Sequence, residues 1–232
     1  MNAYKKFGYY YDEVMSQLNY DLWVEFVEPY LKKDDSILDL ACGTATFITM
    51  LKLKGYDVCG LDLSQTILEI ASEKMKINHL DFPLYNMDMK DFKLNKKFDV
   101  ITCFFDSINF LASLDDVKKM FNTVLNHLKP NGYFIFDIFS KELMTEYEHN
   151  QIKEDYITFK LDWQTKKASP TSLRHKIAII EGDETFCESY YEYYYKISDL
   201  PLEHFKLIKI SGDFNDDYQE NDERILIVLQ KL

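Results

Sequence analysis

The chain has 232 residues, of which 47% are hydrophobic, so it is long enough for one α/β domain with a small elaboration. Its formal net charge of -12 disfavours a partner with a phosphate backbone, and we expect no nucleic-acid partner. We also expect a cytoplasmic protein without a membrane partner. No segment approaches the roughly 20 apolar residues that span a bilayer, and residues 1–14 lack the apolar core of a signal peptide.

The cysteines predict free thiols and no bound metal. None of them forms a C-x-x-C pattern, and no histidine joins them at the spacing of metal ligands. Unpaired thiols are typical of a reducing compartment. The four residues are Cys42, Cys59, Cys103 and Cys187.

Short apolar runs and amphipathic stretches alternate along the first 140 residues. Helical spacing covers residues 12–32, and a second helix is predicted over residues 44–53. Ser64 and Ser113 each predict a helix start, because serine caps helix N-termini well. The predicted strands between the helices are residues 36–40, 57–61, 82–85, 98–104 and 133–138. This alternation is typical of a doubly wound, parallel α/β sheet.

The alternation stops near residue 150. Strand-like segments then follow at residues 156–163, 173–180, 185–196, 205–210 and 224–230. We predict that residues 1–150 and 197–232 form the main α/β domain. Residues 151–196 are predicted to form a small antiparallel β insertion that covers the site as a lid.

The first strand leads into a turn of small residues, in the sequence ILDLACGTATF at residues 37–47. Ala41 and Gly43 let a ligand approach the backbone, and the helix that follows offers unpaired N–H groups to an anion. Asp39 can complement a cationic group of the same ligand. A dinucleotide fingerprint would need glycines at residues 41, 43 and 46, and only Gly43 is present, so a pyrophosphate fits poorly. The alternative is an ordinary strand-to-helix turn.

Two more acids follow the second and third strands. Asp62 can accept hydrogen bonds from both hydroxyls of a ribose. Asp88 can accept one from an adenine amino group, and Met89 can pack on the ring. Taken singly, these residues have the alternatives of helix capping, turn formation and core packing. Together the three acids share the edge where such sheets bind ligands, and they predict a nucleoside site.

Four segments resemble the successive motifs of the class I S-adenosylmethionine (SAM)-dependent methyltransferases: ILDLACGTATF, VCGLDLS, NMDMKDF and FDVITCFFDSINFL. The last is similar to a subgroup of small bacterial enzymes that includes sugar-amine N-methyltransferases. The resemblance implies a Rossmann-like, seven-stranded, mostly parallel sheet with SAM as the cofactor. It also implies methyl transfer to an oxygen or nitrogen of a small molecule. The sequence leaves open whether the protein is a monomer or a homodimer. A SAM-binding protein without catalysis and a dinucleotide-binding oxidoreductase are the alternatives.

The same resemblance implies a cofactor-binding role for nine residues: Tyr11, Asp39, Ala41, Gly43, Asp62, Leu63, Asp88, Met89 and Phe104. The first-turn residues and the backbone near Phe104 would surround the methionine part, and Asp62 would bind the ribose. Asp88 and Met89 would hold the adenine, and Tyr11 would close over the cofactor.

One departure from the family pattern lies in the first turn. Where the family has a third glycine, this chain has Ala45. A positive φ at this position would strain the backbone of an alanine.

Methyl transfer needs a positioned nucleophile and, where the acceptor must lose a proton, a base. Asp106 and Asn109 follow the fourth strand, where substrate and methyl group should meet. We predict substrate contact for both and take Asp106 as the candidate catalytic proton acceptor; helix capping is the alternative. His175, on an insertion strand, is a further candidate for substrate contact.

The last insertion strand has the sequence TFCESYYEYYY. Strand alternation places five of its side chains on one face: Phe186, Glu188, Tyr190, Glu192 and Tyr194. One hypothesis is that this acidic, aromatic face recognises an amine-bearing substrate. The preferred interpretation is a solvated strand whose tyrosines pack on the sheet.

Overall fold

A seven-stranded sheet forms the centre of the protein. The computed structural model describes residues 4–232. In chain order the strands are β1 (Ser36–Leu40), β2 (Asp57–Asp62), β3 (Leu84–Asn86), β4 (Phe98–Cys103), β5 (Leu128–Phe139), β6 (Gln151–Asp155), β7 (Lys160–Ser169), β8 (Ser172–Glu181), β9 (Glu184–Tyr193), β10 (Phe205–Gly212) and β11 (Arg224–Lys231). The order in the large sheet is β10-β11-β5-β4-β1-β2-β3. β1 to β5 pair in parallel, and β10 and β11 are antiparallel.

This sheet confirms the predicted α/β class. Every residue of β1 is buried, as expected for a parallel strand that is covered on both faces. β1 pairs with β2 on one side and with β4 on the other, so the strand order reverses at β1. A crevice at the carboxyl ends of the strands is the usual ligand site at such a reversal.

The helices flank the sheet. They are α1 (Tyr11–Val14), α2 (Asp21–Val27), α3 (Thr46–Leu53), α4 (Gln65–Ile77), α5 (Leu114–His127) and α6 (Lys141–Glu146). The predicted caps are present: Ser64 Oγ accepts from the Ile67 N–H at 3.4 Å, and Ser113 Oγ accepts from the Asp116 N–H at 3.2 Å. Within residues 4–232 no helix is both long and apolar enough to cross a membrane.

The single helix predicted over residues 12–32 is wrong, because two short helices, α1 and α2, occupy that region. The Asp21 N–H donates to Asn19 Oδ1 at 3.3 Å, a local side-chain contact typical of a new helix start. Pro29 lies in the 3₁₀ turn Glu28–Tyr30 that ends α2, where its missing N–H stops further α-helix.

The insertion is a separate antiparallel sheet with the order β6-β7-β8-β9. It has four strands where the sequence predicted three. The additional strand, β6, has the sequence QIKED with all five residues exposed, so it shows no apolar alternation. Residue 156, predicted as the start of a strand, lies in the turn between β6 and β7.

Candidate active site

A cavity of about 420 Å³ opens at the carboxyl ends of β1 to β4. Its volume is within the range of small-molecule sites, about 300–1,000 Å³. All nine residues with a predicted cofactor role line it: Tyr11, Asp39, Ala41, Gly43, Asp62, Leu63, Asp88, Met89 and Phe104. The parallel strands bring residues from distant parts of the sequence to one edge of the sheet.

The first turn bends through three left-handed residues. The φ angles are +53° at Ala41, +56° at Gly43 and +62° at Ala45. At Gly43 a Cβ would meet no atom within 4 Å, so the backbone there faces open space. Ala45 is thus in the left-handed region, a conformation that costs an alanine roughly 1–2 kcal/mol. It is fully buried in the core cluster beneath the turn, which holds the strained backbone in place.

Asp39 lies at the base of the cavity and is almost fully buried. The Thr102 hydroxyl donates to its Oδ1 at 2.6 Å. Burial raises the pKa of Asp39 to about 8, and the hydrogen bond from Thr102 opposes that rise. A cationic group placed beside this carboxyl would favour its charged form.

Asp62 joins the end of β2 to the first turn. The Gly43 N–H donates to Oδ2 at 3.0 Å, and the Ser64 N–H donates to Oδ1 at 2.8 Å. Burial raises the pKa of Asp62, and these two N–H groups oppose the rise. The carboxylate is thereby held in one orientation, with lone pairs left for hydroxyls of a ligand.

A covering segment, residues 4–20, closes one side of the cavity and contributes Tyr4, Tyr11 and Tyr20 to its lining. Asp12 on α1 accepts from the Thr44 hydroxyl at 2.5 Å and forms an ion pair with Lys74 on α4.

The other end of the covering segment is attached to the insertion. Glu188 on β9 accepts from the N–H groups of Lys5 at 3.2 Å and Phe7 at 3.1 Å. Phe7 is fully buried in an apolar cluster with Ile177 and Tyr190. The segment therefore links the large sheet to the insertion across the cavity.

Comparisons with known proteins agree with this geometry. A family model described as a methyltransferase domain matches residues 37–132. A candidate methyltransferase of Geobacillus sp. (strain WCH70) is 30% identical over 99% of this chain and 100% of its own. The solved structure of a SAM-dependent methyltransferase from Clostridium acetobutylicum ATCC 824 is 31% identical, with a TM-score of 0.85 over 99% of each chain.

The chain belongs to the SAM-dependent methyltransferases.

The cofactor of this methyltransferase is accordingly SAM, and the cavity has the chemistry to hold it. Asp39 is a buried acid that could receive an ammonium, the small left-handed residues Ala41 and Gly43 leave room at the backbone, and the oriented carboxylate of Asp62 could accept from hydroxyls. A relative that matches over a shorter part of the chain is the dTDP-4-amino-2,3,4,6-tetradeoxy-D-glucose N,N-dimethyltransferase of Saccharopolyspora spinosa. It is 31% identical over 49% of this chain and 44% of its own.

The three residues with a predicted substrate role do not line the cavity. Both carboxylate oxygens of Asp106 receive the Arg224 guanidinium, at 2.8 and 3.0 Å. Burial raises the pKa of Asp106, Arg224 opposes the rise, and the neighbouring Asp137 adds to it. A carboxylate paired in this way has few lone pairs left for a substrate.

Asn109 is fully buried and joins two elements. Its Nδ2 donates to the Tyr193 carbonyl at 2.8 Å, and its Oδ1 accepts from the Phe139 N–H at 3.2 Å. The amide therefore fastens β9 to the loop after β4. His175 is also buried, on β8, and its ring lies 3.0 Å from Glu192.

Sequence reasoning named Glu188 on one face of the last insertion strand but did not predict the contacts that attach the covering segment. Asp12, Lys74 and Glu188 make their contacts across long stretches of sequence. Arg224 likewise reaches Asp106 from the last strand. Local periodicity carries no signal for such pairs, because each side chain alone resembles an ordinary exposed charge.

Proposed function

We propose that this methyltransferase transfers the methyl group of SAM to an amine nitrogen of a small molecule, with amino sugars as the acceptor class. The observation that supports this most is the aromatic cluster beside the cavity, because Glu192 lies on the same face of β9 as Tyr190, a buried member of that cluster. Tyr190 stacks on the cavity residues Tyr4 and Phe110 with ring centroids 5.7 and 5.2 Å away. Aromatic faces beside a carboxylate favour a cationic ligand. The relative from Saccharopolyspora spinosa, which matches about half of this chain, is named for methylation of an amino sugar.

In this proposal, different cavity residues bind different parts of SAM. SAM supplies an electrophilic methyl group on a sulfonium. Asp39 receives the ammonium of the methionine part, and the first-turn backbone with that of Phe104 surrounds the rest. Asp62 accepts from the ribose hydroxyls, while Asp88 and Met89 hold the adenine.

The insertion, residues 151–196, acts as a lid together with the covering segment. The main domain is residues 1–150 and 197–232. We place the enzyme in the cytoplasm, where its four free thiols would stay reduced.

Release of S-adenosylhomocysteine tests the proposal directly. The protein is incubated with SAM and either dTDP-4-amino-2,3,4,6-tetradeoxy-D-glucose or free D-glucosamine, each beside its hydroxyl counterpart. We expect product with the amines and none with the hydroxyl sugars. Turnover of hydroxyl sugars alone would contradict the amine assignment. SAM binding without product from any acceptor would favour a SAM-binding protein without catalysis.

Asp39 predicts a pH dependence of SAM binding. With a pKa of about 8 in the free protein, its carboxyl is mostly protonated at pH 7 and must lose that proton to face an ammonium. SAM affinity should therefore rise between about pH 6 and pH 7.5, a range below the pKa of free α-amino groups, roughly 7.7–8.0. Calorimetry in buffers of different ionisation enthalpy should show proton release on binding. Asp39→Asn should bind SAM more weakly and release no proton; proton release equal to that of the wild type would contradict the role.

A further inference from the structure

Two glutamates on the inner face of β9 have different surroundings. Glu188 is hydrogen-bonded to the backbone of the covering segment, where it accepts from the N–H groups of Lys5 and Phe7. Glu192 lies four residues further along the same face. Its Oε2 is 3.0 Å from His175 Nε2, and its side chain keeps 14% of its surface exposed. Of these two glutamates, Glu192 is therefore the one whose carboxylate a substrate could still approach.

The orientation of the His175 ring is fixed by its other nitrogen. The Trp163 indole N–H donates to Nδ1 at 3.0 Å, and the Thr165 hydroxyl lies 3.1 Å from the same atom. An indole nitrogen can only donate, so Nδ1 carries the lone pair and the proton of the neutral ring is on Nε2. That proton is on the side of Glu192.

The Nε2 atom of His175 has an incomplete hydrogen bond. It is fully buried, and no residue that the structure describes offers it an aligned partner, although the Glu192 carboxylate is 3.0 Å away. A small movement of Glu192 would complete the bond. Buried polar atoms without an aligned partner are uncommon and are costly unless a functional state satisfies them.

The pair adjoins the aromatic cluster that borders the cavity. The His175 ring stacks on Tyr190, with centroids 4.8 Å apart and planes 12° from parallel. Tyr190 in turn stacks on Tyr4 and Phe110, two residues that line the cavity, with ring centroids 5.7 and 5.2 Å away. Burial raises the pKa of Tyr190, on the same strand as Glu192, and of Asp106, in the loop after β4, and the Glu192 carboxylate adds to both rises.

We propose that Glu192 is a catalytic residue that takes a proton from the acceptor ammonium, and that His175 is the positioning residue that orients Glu192. This inference rests on the proposed amine acceptor. Asp106 is the poorer base, because both of its oxygens are engaged by Arg224.

The proton and electron balance is simple. The acceptor ammonium, R–NH₃⁺, gives one proton to the Glu192 carboxylate and becomes R–NH₂ with a free lone pair. That pair forms the new N–CH₃ bond while the C–S bond breaks and its electron pair remains on sulfur. The products are R–NH₂⁺–CH₃ and a neutral thioether, and the proton on Glu192 passes to solvent.

Glu192→Gln tests the catalytic role through its pH dependence, with D-glucosamine as the acceptor. We expect kcat near neutral pH to fall about 10²- to 10⁴-fold, the range for loss of a general base. The deficit should shrink as the pH rises past the pKa of the acceptor amine, because free amine then forms without a base. A wild-type kcat, or a deficit that stays the same at every pH, would overturn the assignment.

Glu188→Gln is the matched control, since it makes the same change on the same face of the same strand. It weakens attachment of the covering segment, so a change in the KM for SAM is expected. If the kcat of Glu188→Gln also falls, we expect the deficit to be the same at every pH. Equal pH-dependent recovery in both variants would show that Glu192 has no specific role.

His175→Gln and Trp163→Phe test the positioning role. Both should lower kcat about tenfold while the KM for D-glucosamine changes little; a merely structural role would lower thermal stability and leave kcat unchanged. Two-bond ¹H–¹⁵N NMR of the protein, which needs no acceptor, should show His175 with its proton on Nε2. The opposite tautomer would overturn the positioning role. Amine methylation that persists unchanged in Glu192→Gln refutes this inference alone, whereas failure to methylate any amine refutes the proposed function.

Discussion

Asp62→Ala is expected to weaken SAM binding about 100-fold. Each of the two oxygens of this carboxylate is oriented by a backbone N–H, and we assign the group to the two ribose hydroxyls. Hydrogen bonds to a charged group contribute roughly 1.5–3 kcal/mol each, and about 1.4 kcal/mol corresponds to a factor of ten in affinity. The variant also leaves the Gly43 N–H without its acceptor, which loosens the first turn.

Isothermal titration calorimetry with SAM or S-adenosylhomocysteine measures the effect. Asp57→Asn is the control, because Asp57 begins the same strand, is exposed, and pairs with Lys96 at 3.0 Å away from the cavity. It should bind SAM as the wild type does. Equal affinity of Asp62→Ala and the wild type would show that Asp62 does not hold the ribose.

Arg224→Met should cost about 3–5 kcal/mol of the free energy of unfolding, the usual result of removing one partner from a buried ion pair. Arg224 lies between two carboxylates, with Nη1 at 2.8 Å from Asp106 and 3.0 Å from Asp137. Asp137 is fully buried and also accepts from the Trp23 indole N–H at 2.7 Å. Without the guanidinium, the fully buried Asp137 and the partly buried Asp106 remain close together with no positive charge between them.

The destabilisation should depend on pH in a defined direction. Burial already raises the pKa of Asp106, and removing Arg224 raises it further because an opposing positive charge is lost. The penalty is therefore largest above that pKa and shrinks as the pH falls and the carboxyl becomes neutral. Urea unfolding at several pH values measures it. Lys209→Met is the control: Lys209 pairs with the fully exposed Asp216 and should change stability by less than about 1 kcal/mol. Equal losses in both variants would contradict the buried network.

The sequence predicts the large sheet and the cofactor side of the site for one physical reason. Parallel strands place their carboxyl ends at one edge, so Asp39, Asp62 and Asp88 could be grouped from strand positions alone. The helix starts at Ser64 and Ser113 could also be predicted from the sequence, because a cap acts within one helical turn.

The contacts of the residues with a proposed acceptor role could not be predicted in the same way. Whether Asp106 is free or paired depends on Arg224, which lies on the last strand of the chain. The surroundings of Glu188 and Glu192 depend on the covering segment and on β8, so strand alternation could give their shared face but not their different partners. β6 was missed because an exposed edge strand without apolar residues carries no periodicity.

The link between Glu188 and the covering segment also has a consequence for how the molecule folds. The amides of Lys5 and Phe7 meet a carboxylate that lies 183 and 181 residues further along the chain. Closing so long a loop costs conformational entropy, and the carboxylate that helps to offset this cost is in place only once β9 has formed. We therefore expect both sheets to assemble first and the covering segment to dock last. A partly folded chain would then have an open cofactor cavity, so we expect methyl transfer only once the covering segment has docked on β9.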